Sequence, residues 1–141
     1  MAQNNFLFRI KGIQRYEGNE PEVIELTTEG RIERRGEQLF MIYEESALTG
    51  LEGTVTRFEL EGEKVRLIRT GKISSVMEFL PGQTTQSLYD TGMGALLIDA
   101  RTLRVENHMD ETGGNLTVVY RIAIESLGVG EIEYRILATP L

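Results

Sequence analysis

The feature that most constrains this chain is a period of two. From Phe6 to Ile136 apolar and polar residues alternate in run after run, each run ended by glycine, proline or a short polar cluster, and no segment holds a helical period beyond a turn or two. Successive side chains of a strand point to opposite faces, so each run predicts a strand with one buried face and one wet face. The first sets Phe6, Phe8 and Ile10 against Arg9 and Lys11, with a kink at Gly12-Ile13. The second sets Ile24, Leu26, Thr28, Gly30 and Ile32 against Val23, Glu25, Thr27, Glu29 and Arg31. Gln38 to Glu45 is apolar on both faces.

Further along, Thr54, Thr56, Phe58 and Leu60 share a face, which turns two threonines inward. Glu61-Gly62-Glu63 reads as a hairpin turn, after which Val65, Leu67 and Arg69 share a face, so an arginine lies on the apolar side. Ile73 to Leu80 is the next strand and Pro81-Gly82 the next turn, the proline presetting φ for the first central position and the glycine suiting the second. Thr84 to Thr91 is polar and reads as an edge strand. Leu96, Ile98 and Ala100 have one parity and Leu103 and Val105 the other, which predicts a bulge near Arg101-Thr102. Asp110 to Gly114 turns into Leu116, Val118, Tyr120, Ile122 and Ile124; Ser126 to Gly130 turns into Ile132, Tyr134 and Ile136.

Short turns between consecutive strands predict an all-β, up-and-down antiparallel meander of about eight to ten strands. Closing such a sheet into a β-barrel removes its exposed edges, and a two-sheet sandwich is the alternative. A chain of 141 residues fits one domain spanning 1–141.

Composition narrows the function classes. Twenty-two acidic against 15 basic side chains give a net charge of -7, which repels phosphate backbones and anionic lipid headgroups, so neither nucleic acid nor a membrane is an expected partner. Arg31, Arg34 and Arg35 form the one basic cluster, and Glu29, Glu33 and Glu37 interleave with it as a solvated surface would. Without cysteine there is no disulfide, thiol nucleophile or zinc-thiolate site. No charged segment followed by a long apolar run opens the chain, and no apolar run approaches the about 18 residues that cross a bilayer, so a cytoplasmic location is expected. Asn115-Leu116-Thr117 matches a glycosylation sequon by chance on that reading.

The segment from Tyr43 to Thr56 is the most distinctive, and an ordered set of motifs accompanies it. Tyr43-Glu44-Glu45 with Thr49-Gly50-Leu51-Glu52-Gly53-Thr54, then Arg69-Thr70-Gly71, Phe79 before Gly82, Tyr89-Asp90-Thr91 with Gly94, and Gly113-Gly114-Asn115-Leu116 leading to Tyr120, resemble the YwiB-like family of small bacterial proteins. The resemblance covers nearly the whole chain. It implies a calycin-like, lipocalin-type closed barrel in a bacterial cytoplasm, and it implies no activity, ligand or catalytic residue.

No reaction template is complete. Glu44 and Glu45 are adjacent in a strand and diverge to opposite faces, so they form no carboxylate pair across a substrate. The inward one needs a partner, and Arg69 is the candidate by parity, as a structural ion pair or as an anion site tuned by the glutamate. Thr54, Thr56, Tyr89, Thr91, Tyr120 and Tyr134 could offer hydroxyls to a cavity, or serve β-propensity and core packing. His108, with Asp110 and Glu111 near a turn, matches no metal-ligand spacing. No serine lies in a Gly-x-Ser-x-Gly elbow, Gly92-Met93-Gly94 lacks the rest of a dinucleotide fingerprint, and no cofactor is expected. The expectation is a non-enzymatic binder of a small amphipathic ligand, with Arg69, Glu44, Glu45, Thr54, Thr56, Tyr89, Thr91 and Tyr120 as its ligand-contacting set. The alternative is an interaction module or homodimer acting through an exposed sheet edge or face.

Overall fold

A computed structural model describes residues 3–124 and 128–141. Among them ten strands run in chain order: β1 (Phe6–Tyr16), β2 (Glu22–Arg35), β3 (Gln38–Glu44), β4 (Thr54–Glu61), β5 (Lys64–Gly71), β6 (Ser75–Phe79), β7 (Thr84–Asp90), β8 (Ala95–Asp110), β9 (Gly113–Ile124) and β10 (Gly128–Pro140). They form one antiparallel sheet in the order β6-β5-β4-β3-β2-β1-β10-β9-β8-β7, so chain neighbours are sheet neighbours and β1 joins β10. That is the predicted meander wrapped into a barrel, and the two-sheet alternative is excluded.

The wrap is nearly complete. β6 and β7 meet through a two-way backbone bridge between Ser74 and Asp90, with both N–H···O distances 2.9 Å. At the other end of the seam the Gly82 N–H donates to the Thr102 carbonyl and the Thr102 N–H to that of Gln83. Between these clasps the Thr85 hydroxyl donates to the Glu78 carbonyl at 2.7 Å, a side chain standing in for a ladder bond. β6 is shorter than the alternation over Ile73 to Leu80 predicts, because the chain turns at both ends of this seam.

The inward parity of the runs holds except at Leu103, which is exposed. Phe8, Met41, Phe58, Leu60, Val65, Phe79, Leu116, Val118 and Ile136 are buried and fill one half of the barrel, near the hairpin turns at Gly36, Gly62, Gly82 and 111–112. In β8 the register shifts between Thr102 and Arg104, one step beyond the expected bulge, which turns Leu103 outward and restores Val105 to the core. The turn expected at Ser126 to Gly130 falls partly outside the described residues. On the outer face Arg31 and Arg35 both engage Glu33, and Arg34 engages Glu111, as a solvated strand surface does. The hydrogen bond from Arg35, opposed by desolvation and reinforced by Arg31, holds the Glu33 carboxyl below its ordinary value. His108 is an exposed residue of β8 rather than of a turn.

Gly30 shows how closely the barrel wall is packed. It sits opposite Phe6 on β1 and Tyr43 on β3, and the Phe8 ring covers it. A Cβ there would intrude on the edge of that ring and stand 2.5 Å from the Ile42 carbonyl oxygen. Gly30→Ala is therefore expected to destabilise the fold by about 1–3 kcal/mol through overpacking, read as a lowered denaturation midpoint; an unchanged midpoint would show that the wall yields.

Candidate functional site: a polar belt beside an apolar cavity

Strand pairing assembles the site. The two-residue turn at Gly62-Glu63 pairs Glu61 with Lys64 and, counting back along the hairpin, Thr56 with Arg69. Tyr43 faces Thr56 from β3, and Ser75 faces Arg69 from β6. One inward row thus reads Tyr43, Thr56, Arg69, Ser75 across four neighbouring strands. Directly opposed side chains on one face lie about 4.5–5.5 Å apart at Cβ, so the row is a continuous polar belt in an otherwise apolar wall.

The corner between β3 and β4 brings a carboxylate to this belt. Glu44 ends β3 facing outward and exposed, whereas Glu45 turns in and is 8% exposed. Ser46 caps the 3-10 turn Ala47–Thr49, its hydroxyl accepting from the Leu48 N–H. The Glu45 carboxylate accepts from the Thr56 hydroxyl at 2.8 Å and from that of Thr49 at 3.4 Å. Thr54 is buried too, but its oxygen accepts from the Ile73 N–H at 3.3 Å and so ties the corner to the β5–β6 turn. The same junction explains the glycine of the Arg69-Thr70-Gly71 step: Gly71 has φ 118°, and a Cβ there would collide with the Gly53 carbonyl.

Arg69 is half-buried, and its Nε is enclosed with no hydrogen-bond partner. Burial works against its charge, but the surrounding Tyr134, Tyr43, Glu45 and Tyr120 outweigh this and hold its pKa above the usual arginine value. Un-ionised phenols carry no formal charge, so at neutral pH the formal charge in that group is that of Glu45. The direct ion pair expected between Arg69 and the inward glutamate is not formed: Glu45 is the inward one, its carboxylate is held by the two threonine hydroxyls, and the guanidinium acts on it through space.

Two tyrosines complete the polar side. The Tyr43 and Tyr134 hydroxyls lie 2.9 Å apart, joining β3 to β10 across the barrel interior. Tyr120 packs on Phe79 with ring centroids 4.5 Å apart. Burial pushes all three phenols up; for Tyr43 its neighbours Tyr134 and Glu45 add to this, whereas Arg69 partly opposes it for Tyr120 and Tyr134.

Beside the belt lies a cavity of about 350 Å³ at the end of the barrel that carries the corner. Its apolar wall comes from β1, β2, β8, β9 and β10, with Ile10, Leu26, Ile98, Ile122, Ile124 and Ile132 prominent. Its polar wall carries Glu45, Thr49, Arg69, Tyr120 and Tyr134, and Tyr89 from β7 stands at its margin. Among the described residues lining it, Arg69 is the one base and Glu45 the one acid.

Of the eight residues singled out from the sequence, Arg69, Glu45, Tyr89 and Tyr120 line this cavity, and Thr56 supports it by holding Glu45. Thr54 serves the corner. Glu44 faces the outer surface. Thr91 is not part of the site: its hydroxyl donates to the Gly94 carbonyl at 3.0 Å and accepts from the Met93 N–H, shaping the turn before β8. Tyr43, Thr49 and Ser75 escaped the sequence reading. The register that the Gly62-Glu63 turn sets would have placed Arg69 beside Thr56, but no comparable signal exists for the β5–β6 turn that delivers Ser75.

Known proteins share this architecture. The chain is 27% identical over 111 residues to the uncharacterized beta-barrel protein YwiB of Bacillus subtilis (strain 168), covering 79% of this chain and 76% of that protein. The crystal structure of the ywiB protein from Bacillus subtilis superposes with a TM-score of 0.81 at 20% identity, over 95% of this chain and 91% of that one, which establishes the likeness of fold. Residues 8–136 match a defined family across nearly the whole barrel, and the chain accordingly belongs to the family described as Domain of unknown function (DUF1934).

Proposed function

We propose that the protein binds a small amphipathic molecule in the cavity at the corner end of the barrel, without catalysing a reaction on it. The observation that carries this reading is the two-sided lining: aliphatic side chains on one wall, and Arg69, Glu45 and tyrosine hydroxyls on the other. A volume of about 350 Å³ lies at the small end of the range of ligand pockets. Catalysis is disfavoured by the same groups, since Glu45 is occupied by two threonine hydroxyls and the three buried phenols are pushed away from neutrality. Cytoplasmic residence and the absence of nucleic-acid or membrane partners belong to this proposal; the net charge of -7 supports the second by repelling phosphate backbones and anionic headgroups.

The incomplete β6–β7 seam favours a second reading, pairing with another copy or another protein. Val76 and Leu88 flank the seam 43% and 56% exposed, and the ladder between its two clasps is unformed. Native mass spectrometry of protein purified from its source cells tests both readings at once. A monomer carrying a reproducible small-molecule mass supports the cavity reading; a ligand-free dimer or a retained protein partner replaces it with the second.

A further inference from the structure

The Tyr43 and Tyr134 hydroxyls meet each other, whereas that of Tyr120 meets no polar group among the described residues, although the side chain is 7% exposed. Its ring is fixed against Phe79. Four unpartnered side-chain atoms are fully enclosed among the described residues, Arg66 Nε, Arg69 Nε, Ser75 Oγ and Thr102 Oγ1; the Tyr120 oxygen is not one of them, and its residue lines the cavity. That hydroxyl is therefore open to whatever the cavity holds. Ile24 and Leu96 line the same cavity and are 37% and 38% exposed, so it communicates with solvent at this end of the barrel. Buried polar groups are as a rule hydrogen-bonded, and a phenol without a protein partner in the wall of a reachable cavity is a place for one from outside the chain.

From this lining we infer that the bound molecule is an uncharged amphiphile, an aliphatic chain ending in a hydroxyl, whose oxygen hydrogen-bonds to the Tyr120 hydroxyl while the chain lies on the isoleucine wall. The inference rests on the cavity reading above and specifies its ligand class. Charge decides the class. Arg69 and Glu45 are the one base and the one acid among the described residues of the lining, so the lining is neutral before anything enters. A carboxylate would add a second negative charge beside Glu45, and an ammonium a second positive charge beside Arg69, each against a largely apolar wall with no counter-charge left over. A hydroxyl avoids both costs. It donates and accepts, as the phenol does, so either partner can supply the proton. Burial keeps the Tyr120 phenol protonated at neutral pH, so it is available as a donor.

Calorimetric titration of the full chain with 1-octanol, octanoate and octylamine at neutral pH separates the outcomes, together with the variants Tyr120→Phe and Glu45→Gln. Octanol is expected to bind most tightly. Tyr120→Phe keeps the ring on Phe79 and is expected to weaken octanol about three- to tenfold, the worth of one neutral hydrogen bond. Glu45→Gln keeps an acceptor for Thr56 but leaves Arg69 unbalanced, so it is expected to tighten octanoate about tenfold, as removing one like charge from a partly enclosed site does, and to leave octanol nearly unchanged. Retained octanol binding shows that this variant keeps its cavity, and Tyr120→Phe decides the matter independently of it. Tighter binding of octanoate or octylamine than of octanol by the unmodified chain, insensitivity of octanol to Tyr120→Phe, or a Glu45→Gln variant that binds octanol but gains nothing for octanoate overturns the uncharged-hydroxyl assignment and leaves the cavity reading standing. Failure of all three probes to bind overturns both.

Discussion

Raising the pH beyond the ordinary range of tyrosine is expected to unfold this protein cooperatively rather than to titrate it. Tyr43, Tyr120 and Tyr134 all have pKa values raised from an ordinary 10.0, first of all by burial. Below that value the phenols are protonated in both folded and unfolded chains, and the shifts have no effect. Above it the unfolded chain releases protons that the folded chain retains, so the unfolded state binds fewer protons and stability falls as pH rises toward the folded values. Each such tyrosine removes about 1.4 kcal/mol per pH unit in that window, so three acting together remove about 4 kcal/mol per unit. Against a typical stability of about 5–15 kcal/mol, this is enough to unfold the barrel within a few pH units. Tyrosinate absorbance and far-ultraviolet circular dichroism followed on one sample check the expectation: three of the five tyrosines should ionise only as the strand signal is lost. Their ionisation near the ordinary value with the strand signal intact would mean that the interior admits water and counter-charge freely.

How much of this was legible beforehand depended on the reach of each signal. Alternation is local, so the strand set, the inward threonines of β4, the inward Arg69 and the divergence of Glu44 from Glu45 could all be read from parity. Pairing across a two-residue hairpin is nearly local as well. Distances across the barrel are not: nothing near Tyr43 in the chain indicates that its hydroxyl meets Tyr134, 91 residues away, at 2.9 Å. The ion pair expected between Arg69 and the inward glutamate erred for the same reason. Parity put Arg69 and one of the two glutamates inside, but the 3-10 turn carries Thr49 back over the Glu45 carboxylate and lets two hydroxyls take the place of a guanidinium. Thr91 had the right residue type beside the right strand, and Gly92-Met93-Gly94 turned its hydroxyl to local backbone.

That substitution of hydroxyls for a direct ion pair sets up the second large effect. Arg69→Met is expected to destabilise the barrel by about 3 kcal/mol, the lower end of what breaking a buried charge pair costs, because the two charges interact through space beside an open cavity rather than in contact. Shape is not the main issue, since methionine fills much of the volume of the arginine stem. The loss arises at Glu45: it is enclosed, its threonine partners donate hydrogen bonds but bring no charge, and no other base lines the cavity among the described residues. Removing the carboxylate charge should then relieve most of the damage. Glu45→Gln keeps an acceptor for Thr56, so on its own it should cost less than Arg69→Met. The double variant should recover about 1–2 kcal/mol relative to the sum of the singles, within the range seen for residues in one polar network. Urea denaturation of the four proteins at neutral pH yields the cycle. Additive losses would show that Arg69 and Glu45 do not sense each other, and the belt would then be four strands' separate polar residues rather than one electrostatic unit. A coupling that vanishes in high salt would place the pair in open solvent, because ions screen exposed charges far more than enclosed ones.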